Sequence, residues 1–313
     1  MSERFFEELN IPQPAYNLSI SGGKHGEMTA RMMIALEEAF ITEAPDLVMV
    51  YGDTNSTLAA AMVAAKMHIP VAHVEAGLRS FNRKMPEEIN RIVTDQVSEL
   101  LFCPTENAVN LLAQEGRTHG VHFVGDVMYD SVLYNLKQAR ENVEPVHPTS
   151  YALATIHRPE NTNHVSRMEN ILRAMSALEI DIVMPLHPRT RHILDTHTHL
   201  QACVGKNIKI IEPLSYLEVL VAMADAKLVL TDSGGMQKET YFVGVPCITL
   251  RDETEWPETV SAGANIVVGA DRDKIISAAN RALDTNKPQT QQASGPFGDG
   301  QAGRKIVDLI LKA

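Results

Sequence analysis

Continuous apolar runs recur along the chain, and each ends in a cluster of polar residues or glycines. The earlier ones are Leu47-Val-Met-Val-Tyr51, Pro70-Val-Ala-His-Val74, Leu100-Leu-Phe-Cys-Pro104 and Val121-His-Phe-Val124. The later ones are Tyr151–Ile156, Ile180–Leu186, Asn207–Ile211, Leu228–Leu230, Pro246–Leu250 and the short Ile266–Gly269. Runs without polar alternation are the pattern of strands buried on both faces of a parallel sheet. Between them lie stretches that read as helices: Glu27–Ile41, Leu58–Lys66, Glu106–Glu115, Tyr216–Ala226, Met236–Val243, Asp271–Leu283 and Lys305–Leu311, with others starting at Pro86 and after Asp126. Strand and helix thus alternate in two series, separated where Arg140–Ser150 becomes rich in Glu, Pro and His. The pattern predicts an α/β fold of two doubly wound, Rossmann-like domains facing a cleft, residues 1–145 and 146–295, with a last helix within 296–313.

The chain opens on a helical stretch with Phe5, Phe6 and Leu9 on one face, ending before Pro12. An α/β domain more often opens on a strand, so an element upstream is expected. Stretch 286–303, with its Pro, Gly and Gln, reads as a connection to the last helix.

Composition narrows the chemistry. A formal net charge of -11 argues against nucleic acid and anionic membrane as partners. Cys103, Cys203 and Cys247 lie far apart with no CxxC pair, which offers neither a disulfide framework nor a zinc site and suits a reducing cytoplasm. No apolar run approaches the length of a membrane span. His197 and His199 lack supporting carboxylates and read as a solvated face, so no metal site is expected there.

The sharpest local signal is Leu228–Thr240, where an apolar run stops at Thr231-Asp-Ser-Gly-Gly235 and a helix follows. Gly234 and Gly235 have no Cβ, so a phosphate can approach the backbone and meet the free N–H groups of the helix's first turn. Glu239 would repel that phosphate and suits a ribose diol instead, which together suggests a nucleotide. An ordinary strand-to-helix turn capped by Ser233 is the alternative. By contrast, Ser21-Gly-Gly-Lys-His-Gly26 departs from the phosphate-loop pattern, because His25 follows Lys24.

The other run ends add charged groups. Asp53 follows the run 47–51, Glu75 follows 70–74, and Glu87 opens a helix behind Pro86. Polar groups at the carboxyl ends of such strands face the ligand crevice, so these three carboxylates can converge. Crowded carboxylates repel one another's charge, which keeps an acid and a base available near neutral pH. Magnesium binding is the rival explanation, placed lower because the same edge offers no second histidine at ligand spacing, and no metal is expected. In the second series His157 and Arg158 end one run, and His187 with Arg189 ends the next; all suit a phosphate leaving group.

Taken together, Gly52-Asp-Thr-Asn-Ser-Thr57, His73-Val-Glu-Ala-Gly-Leu-Arg79, Met85-Pro-Glu-Glu-Ile-Asn-Arg91, His157-Arg-Pro-Glu-Asn161, Thr231-Asp-Ser-Gly-Gly235, Arg251-Asp-Glu-Thr-Glu255 and Pro296-Phe-Gly-Asp-Gly300 closely resemble, in order, the non-hydrolysing UDP-N-acetylglucosamine 2-epimerases. The resemblance implies the two-domain GT-B fold, with the last helix crossing back to the first domain, and a homodimer. It implies inversion at C2 of a UDP-linked N-acetyl sugar by anti elimination of UDP and its re-addition, with no redox cofactor. It further implies that Asp53, Glu75 and Glu87 are acid/base groups near C2 and that His157 contacts the diphosphate. Ser233, Gly234 and Gly235 would hold the phosphates, Glu239 the ribose, and the main chain around Leu214 to Val219 the uracil. Arg79–Pro86 is also similar to relatives that epimerise a UDP-linked diacetamido uronic acid.

Two departures accompany the resemblance. Met1 aligns just before the family's Phe-Phe-Glu helix, so its first strand–helix–strand unit, with a basic nucleotide contact, is expected upstream, and lower stability and activity without it. Trp256 stands where many relatives carry an arginine near the nucleotide; a tryptophan can pack there but cannot pair with a phosphate.

Overall fold

The computed structural model describes residues 6, 8, 9, 11–147, 149–284 and 295–312. The helical reading of residues 1–5 and the connecting stretch 286–294 lie outside the described residues. Tertiary contacts divide the chain into two compact units, Met1–Asp130 with Ala293–Ala313, and Ser131–Gln292. The division falls inside the helix Val127–Asn142, upstream of the whole polar stretch 140–150.

The first unit contains a parallel sheet of β1 (Val48–Tyr51), β2 (Val71–Val74), β3 (Leu100–Cys103) and β4 (Val121–Phe123), in that spatial order. Helices Asn55–Lys66, Pro86–Val97 and Glu106–Gln114 make the crossovers. β2 is buried along its whole length, which is why its sequence shows no polar alternation apart from His73. Phe102, Val74 and Val124 pack with Ala302 and Ile306 of the helix Ala302–Ile310, so that helix contributes to the first unit's core. Asp130 fixes that helix by accepting the main-chain N–H of Ala302 (3.0 Å) and Gly303 (2.8 Å), a carboxylate at the positive end of a helix.

The described residues of the second unit form six parallel strands: β5 (Tyr151–Thr155), β6 (Asp181–Pro185), β7 (Ile208–Ile211), β8 (Leu228–Thr231), β9 (Cys247–Thr249) and β10 (Asn265–Val267). Their spatial order is β10-β9-β8-β5-β6-β7. The chain therefore winds outward from β5 in one direction and from β8 in the other, and the crevice between these two carboxyl ends is the switch point where such sheets bind ligands. Thr155 and Thr231 are register partners there, their hydroxyls 2.7 Å apart. Met168, Ile171, Leu172, Leu230 and Ile248 are fully buried in the core cluster, each side chain worth about 1.5–3 kcal/mol relative to exposure. Among the described residues no helix is long and apolar enough to cross a membrane.

Candidate active site

At the switch point of the second unit, Asp232 follows β8 and is fully buried. Its carboxylate accepts the main-chain N–H groups of His157 (3.0 and 3.1 Å) and Arg158 (3.0 Å) and the side-chain amide of Asn161 (3.0 Å). The Asn161 amide also donates to the carbonyl of Leu250 at 2.9 Å, just beyond β9. One carboxylate thus fastens the exits of β5 and β8 and, through Asn161, that of β9. The His157 ring lies 5.4 Å from the His187 ring, centroid to centroid, so the histidines that follow β5 and β6 are neighbours. Burial lowers the His157 pKa; Asp232 opposes this, while His187, Arg158 and Arg189 add to the lowering.

The helix Gly234–Val243 begins beside these groups. Ser233 caps it, its hydroxyl accepting from Met236 N–H at 3.4 Å, so the capping reading holds at this turn. Gly234 is buried and Gly235 exposed. A Cβ added at Gly234 would lie 2.5 Å from Glu255 Oε2 and 3.6 Å from Arg158 Nη2, so a side chain there displaces the end of the flexible Glu255 side chain. Arg251 bonds Glu255 (3.0 Å) and approaches Glu160 (3.4 Å). A phosphate on this turn would meet backbone N–H groups and the Arg158 guanidinium, with the Glu255 carboxylate as its competitor.

One turn along the same helix, Glu239 is buried and its pKa is raised by that burial, with the Tyr216 hydroxyl bond and Lys238 partly offsetting it. Tyr216 opens the helix Tyr216–Asp225, which Ser215 and Glu218 start with a reciprocal capping box. Leu214 and Val219 flank that start and are half-buried. The ammonium of buried Lys238 sits 4.0 Å from the centroid of the Trp256 ring, so Trp256 supplies an aromatic face for a cation already present.

The first unit carries the carboxylates. Asp53 follows Gly52 at the end of β1, and Arg91 grips it through Nη2 (2.7 Å) and Nε (3.0 Å). The Asn90 amide donates to the Asp53 carbonyl at 2.8 Å. Glu75 follows β2 with φ 74, a left-handed backbone that side chains other than glycine rarely adopt. Its N–H and that of Ala76 both donate to the Phe102 carbonyl at 3.1 Å. A Cβ on Gly52 would stand 3.5 Å from Glu75 Oε2, which places that carboxylate beside the residue preceding Asp53. Glu87 is exposed on the first turn of its helix, four residues before Arg91 and hence on the same face. Its neighbour Glu88 is buried and structural: it accepts from Ser80 N–H (2.9 Å), Phe81 N–H (2.8 Å) and Arg91 (2.8 Å). Burial would raise the Glu88 pKa, but those donors outweigh it and hold it low.

Reading the sequence finds the carboxylates and the turn but misses Asp232, Asn161 and Arg91 as organisers. Asp232 was legible as the acid before the Ser-Gly-Gly turn, and Arg91 as the cation at i+4 from Glu87. Asn161, whose amide donates to acceptors 71 and 89 residues away, left no local signal of that role.

Residues 1–311 match the family model described as UDP-N-acetylglucosamine 2-epimerase. The chain belongs to that family. It is 47% identical over 319 residues to the UDP-2,3-diacetamido-2,3-dideoxy-D-glucuronate 2-epimerase of Pseudomonas aeruginosa, covering 100% of this chain and 88% of that protein. It is likewise 47% identical over 323 residues to the UDP-N-acetylglucosamine 2-epimerase of Methanocaldococcus jannaschii, covering 99% of this chain and 87% of that one. A solved structure of the Methanocaldococcus UDP-GlcNAc 2-epimerase superposes with a TM-score of 0.90 at 45% identity, covering 100% of this chain and 90% of that chain. A second, in complex with UDP-GlcNAc and UDP, gives a TM-score of 0.80, covering 100% and 88%. The epimerase family and the pair of parallel α/β sheets expected of a GT-B fold are therefore both found.

Proposed function

We propose that this chain inverts C2 of a UDP-linked N-acetylated sugar. In the forward half-reaction a base removes the C2 proton, the C2–H electron pair becomes the C1=C2 double bond, and the C1–O pair leaves with UDP. In the return, UDP adds back to C1 while C2 is protonated on the opposite face. Nothing is oxidised or reduced overall.

The observation that carries the reading is the switch point of the second unit, where Asp232 holds His157 and Arg158 beside a glycine turn at a helix N-terminus. That is a place to grip a diphosphate and let it go. On this reading Ser233, Gly234, Gly235, Arg158 and His187 serve the phosphates, and His157 assists departure and return. Glu239 serves the ribose, and the segment Leu214 to Val219 the base. Asp53, Glu75 and Glu87 exchange protons at C2, with Arg91 holding Asp53. The fold supports these roles by placing Asp53 and Glu75 at adjacent strand ends. A homodimer in the cytoplasm completes the proposal, supported by the family resemblance and by three buried free cysteines.

The test is incubation with UDP-N-acetylglucosamine in heavy water, followed by NMR. Deuterium at C2 with formation of the C2 epimer is the expected result. Free N-acetylmannosamine with UDP would mark a hydrolysing enzyme, and UDP binding without exchange a binding protein. Repeating the assay with the UDP-2,3-diacetamido uronate compares kcat/KM for the two sugars, since relatives of near-equal identity carry either name.

A further inference from the structure

The first unit also holds a hydrogen-bonded chain of polar and charged side chains, buried from His73 through Asp95 to Arg79, that the roles above leave unused. His73 is fully buried in β2, and Asp95 is fully buried on the helix Pro86–Val97. His73 Nδ1 lies 2.7 Å from Asp95 Oδ1, and His73 Nε2 lies 2.8 Å from the carbonyl oxygen of Gly52. The other Asp95 oxygen accepts the N–H of Gly77 at 3.1 Å and pairs with Arg79 Nη1 at 2.7 Å. Arg79 closes the chain on Glu115 with two bonds of 2.7 Å.

The hydrogen-bond inventory fixes what His73 must do. A carbonyl only accepts, so Nε2 carries a proton and donates to Gly52; the contact with Asp95 needs a second proton between ring and carboxylate. One imidazole therefore ties the residue before Asp53 to Asp95, and Asp95 ties itself to Gly77, two residues after Glu75. Both carboxylate-bearing loops hang from the same pair. The glycine at 77 is required by this arrangement, since its φ is 80 and a Cβ would lie 2.5 Å from the Ala108 carbonyl oxygen. The left-handed Glu75 sits between the two anchors, and strain of that kind persists only where the surroundings over-determine it.

We propose that His73 and Asp95 are positioning residues for the C2 proton transfer, setting the Asp53 and Glu75 loops against each other without touching substrate. The inference rests on the proposed epimerase reading. A displacement of reacting groups by about 1 Å can cost ~10²-fold in rate. His73→Phe, which keeps the bulk and loses both bonds, should therefore lower kcat and C2 exchange by about that factor, with KM and UDP affinity within about twofold of wild type. The primary deuterium isotope effect on kcat with C2-deuterated substrate should rise, because proton transfer becomes more fully rate-limiting. His73→Gln can still donate to Gly52 and should recover part of kcat; it also serves if the Phe variant fails to fold.

Loss of stability alone would lower the active fraction, measured by UDP titration, and leave kcat per active site and the isotope effect unchanged; that result overturns the proposal. Unchanged exchange in both variants also overturns it while the epimerase reading stands. No C2 exchange by the wild-type protein would remove both.

Discussion

Asp232 accepts the main-chain N–H of His157 at 3.0 Å although 75 residues separate them in sequence. The bond crosses the switch point of the six-stranded sheet and is one of several to the same buried carboxylate. Because Asp232 takes up the donors that leave β5, the His157 side chain is not needed to hold the backbone together. Its ring approaches the same carboxylate through Nδ1, 3.6 Å from Asp232 Oδ1.

Asp232→Ala removes the acceptor and strands the N–H groups of His157 and Arg158, both bound to it in the wild type, in a buried setting. Each unsatisfied buried donor costs about 1–3 kcal/mol. The expected loss is about 3 kcal/mol of unfolding free energy, measured by urea denaturation, together with weaker UDP binding. Asp232→Asn keeps one acceptor oxygen and should fall between wild type and Ala. A stability within 0.5 kcal/mol of wild type for the Ala variant, a difference typical of an ordinary surface change, would refute the fastening role.

His157 gives a pH prediction with a definite sign. In the free protein its pKa lies below the ordinary 6.5, chiefly through burial, so the ring is mostly neutral at pH 7. A diphosphate beside it favours the protonated form and raises that value. UDP binding should then take up a proton, and affinity should strengthen as pH falls from about 8 toward 6. Below the free-protein pKa both states are protonated and this contribution flattens. Calorimetry in buffers of different ionisation enthalpy counts the proton. Equal observed enthalpies in all buffers at pH 7, or the same uptake in His157→Asn, would exclude His157 as its acceptor.

Glu88 makes the opposite prediction for stability. Its folded pKa is held below the ordinary 4.5, since the Ser80 and Phe81 N–H groups and Arg91 outweigh the cost of burial. A depressed carboxylate contributes stability that is present above the unfolded pKa and lost as pH falls through the folded one. Glu88→Gln should cost about 1.5–3 kcal/mol at pH 7, the range of hydrogen bonds to a charged group. The gap to wild type should shrink below pH 4.5. A gap that stays constant down to pH 3 would mean that the charge of Glu88 contributes nothing.

The sequence is legible where one residue pattern has one physical cause. Buried parallel strands need uninterrupted apolar runs, so every strand of both sheets lies within or alongside an expected run, β2 and β8 most plainly. That Asp53 and Glu75 stand just beyond the carboxyl ends of β1 and β2 was readable because the apolar runs stop there. The capping Ser233 was readable because few side chains start a helix well. Long-range partnership was not readable: nothing local to Asp232 says that His157 and Asn161 will be its donors. Nor does the pair Glu87-Glu88 say which acid turns inward, because both suit a helix's positive end; the loop Ser80–Phe81, folding back over the helix, selects Glu88. Trp256 reads as the loss of a cation in sequence, yet in the fold it covers the cation of Lys238.

Gly234 separates binding from folding. A Cβ there meets the far end of Glu255, which can swing away, so Gly234→Ala should change the melting temperature little. The displaced carboxylate and the new methyl group both press on the helix's first turn, where a phosphate must approach the backbone. UDP affinity should fall by about tenfold or more, the equivalent of 1.4 kcal/mol. Glu255→Gln in the same background removes the negative charge and should restore part of that loss. If Gly234→Ala binds UDP as tightly as wild type, the diphosphate does not sit on this turn and its place must be sought elsewhere along the sheet edge.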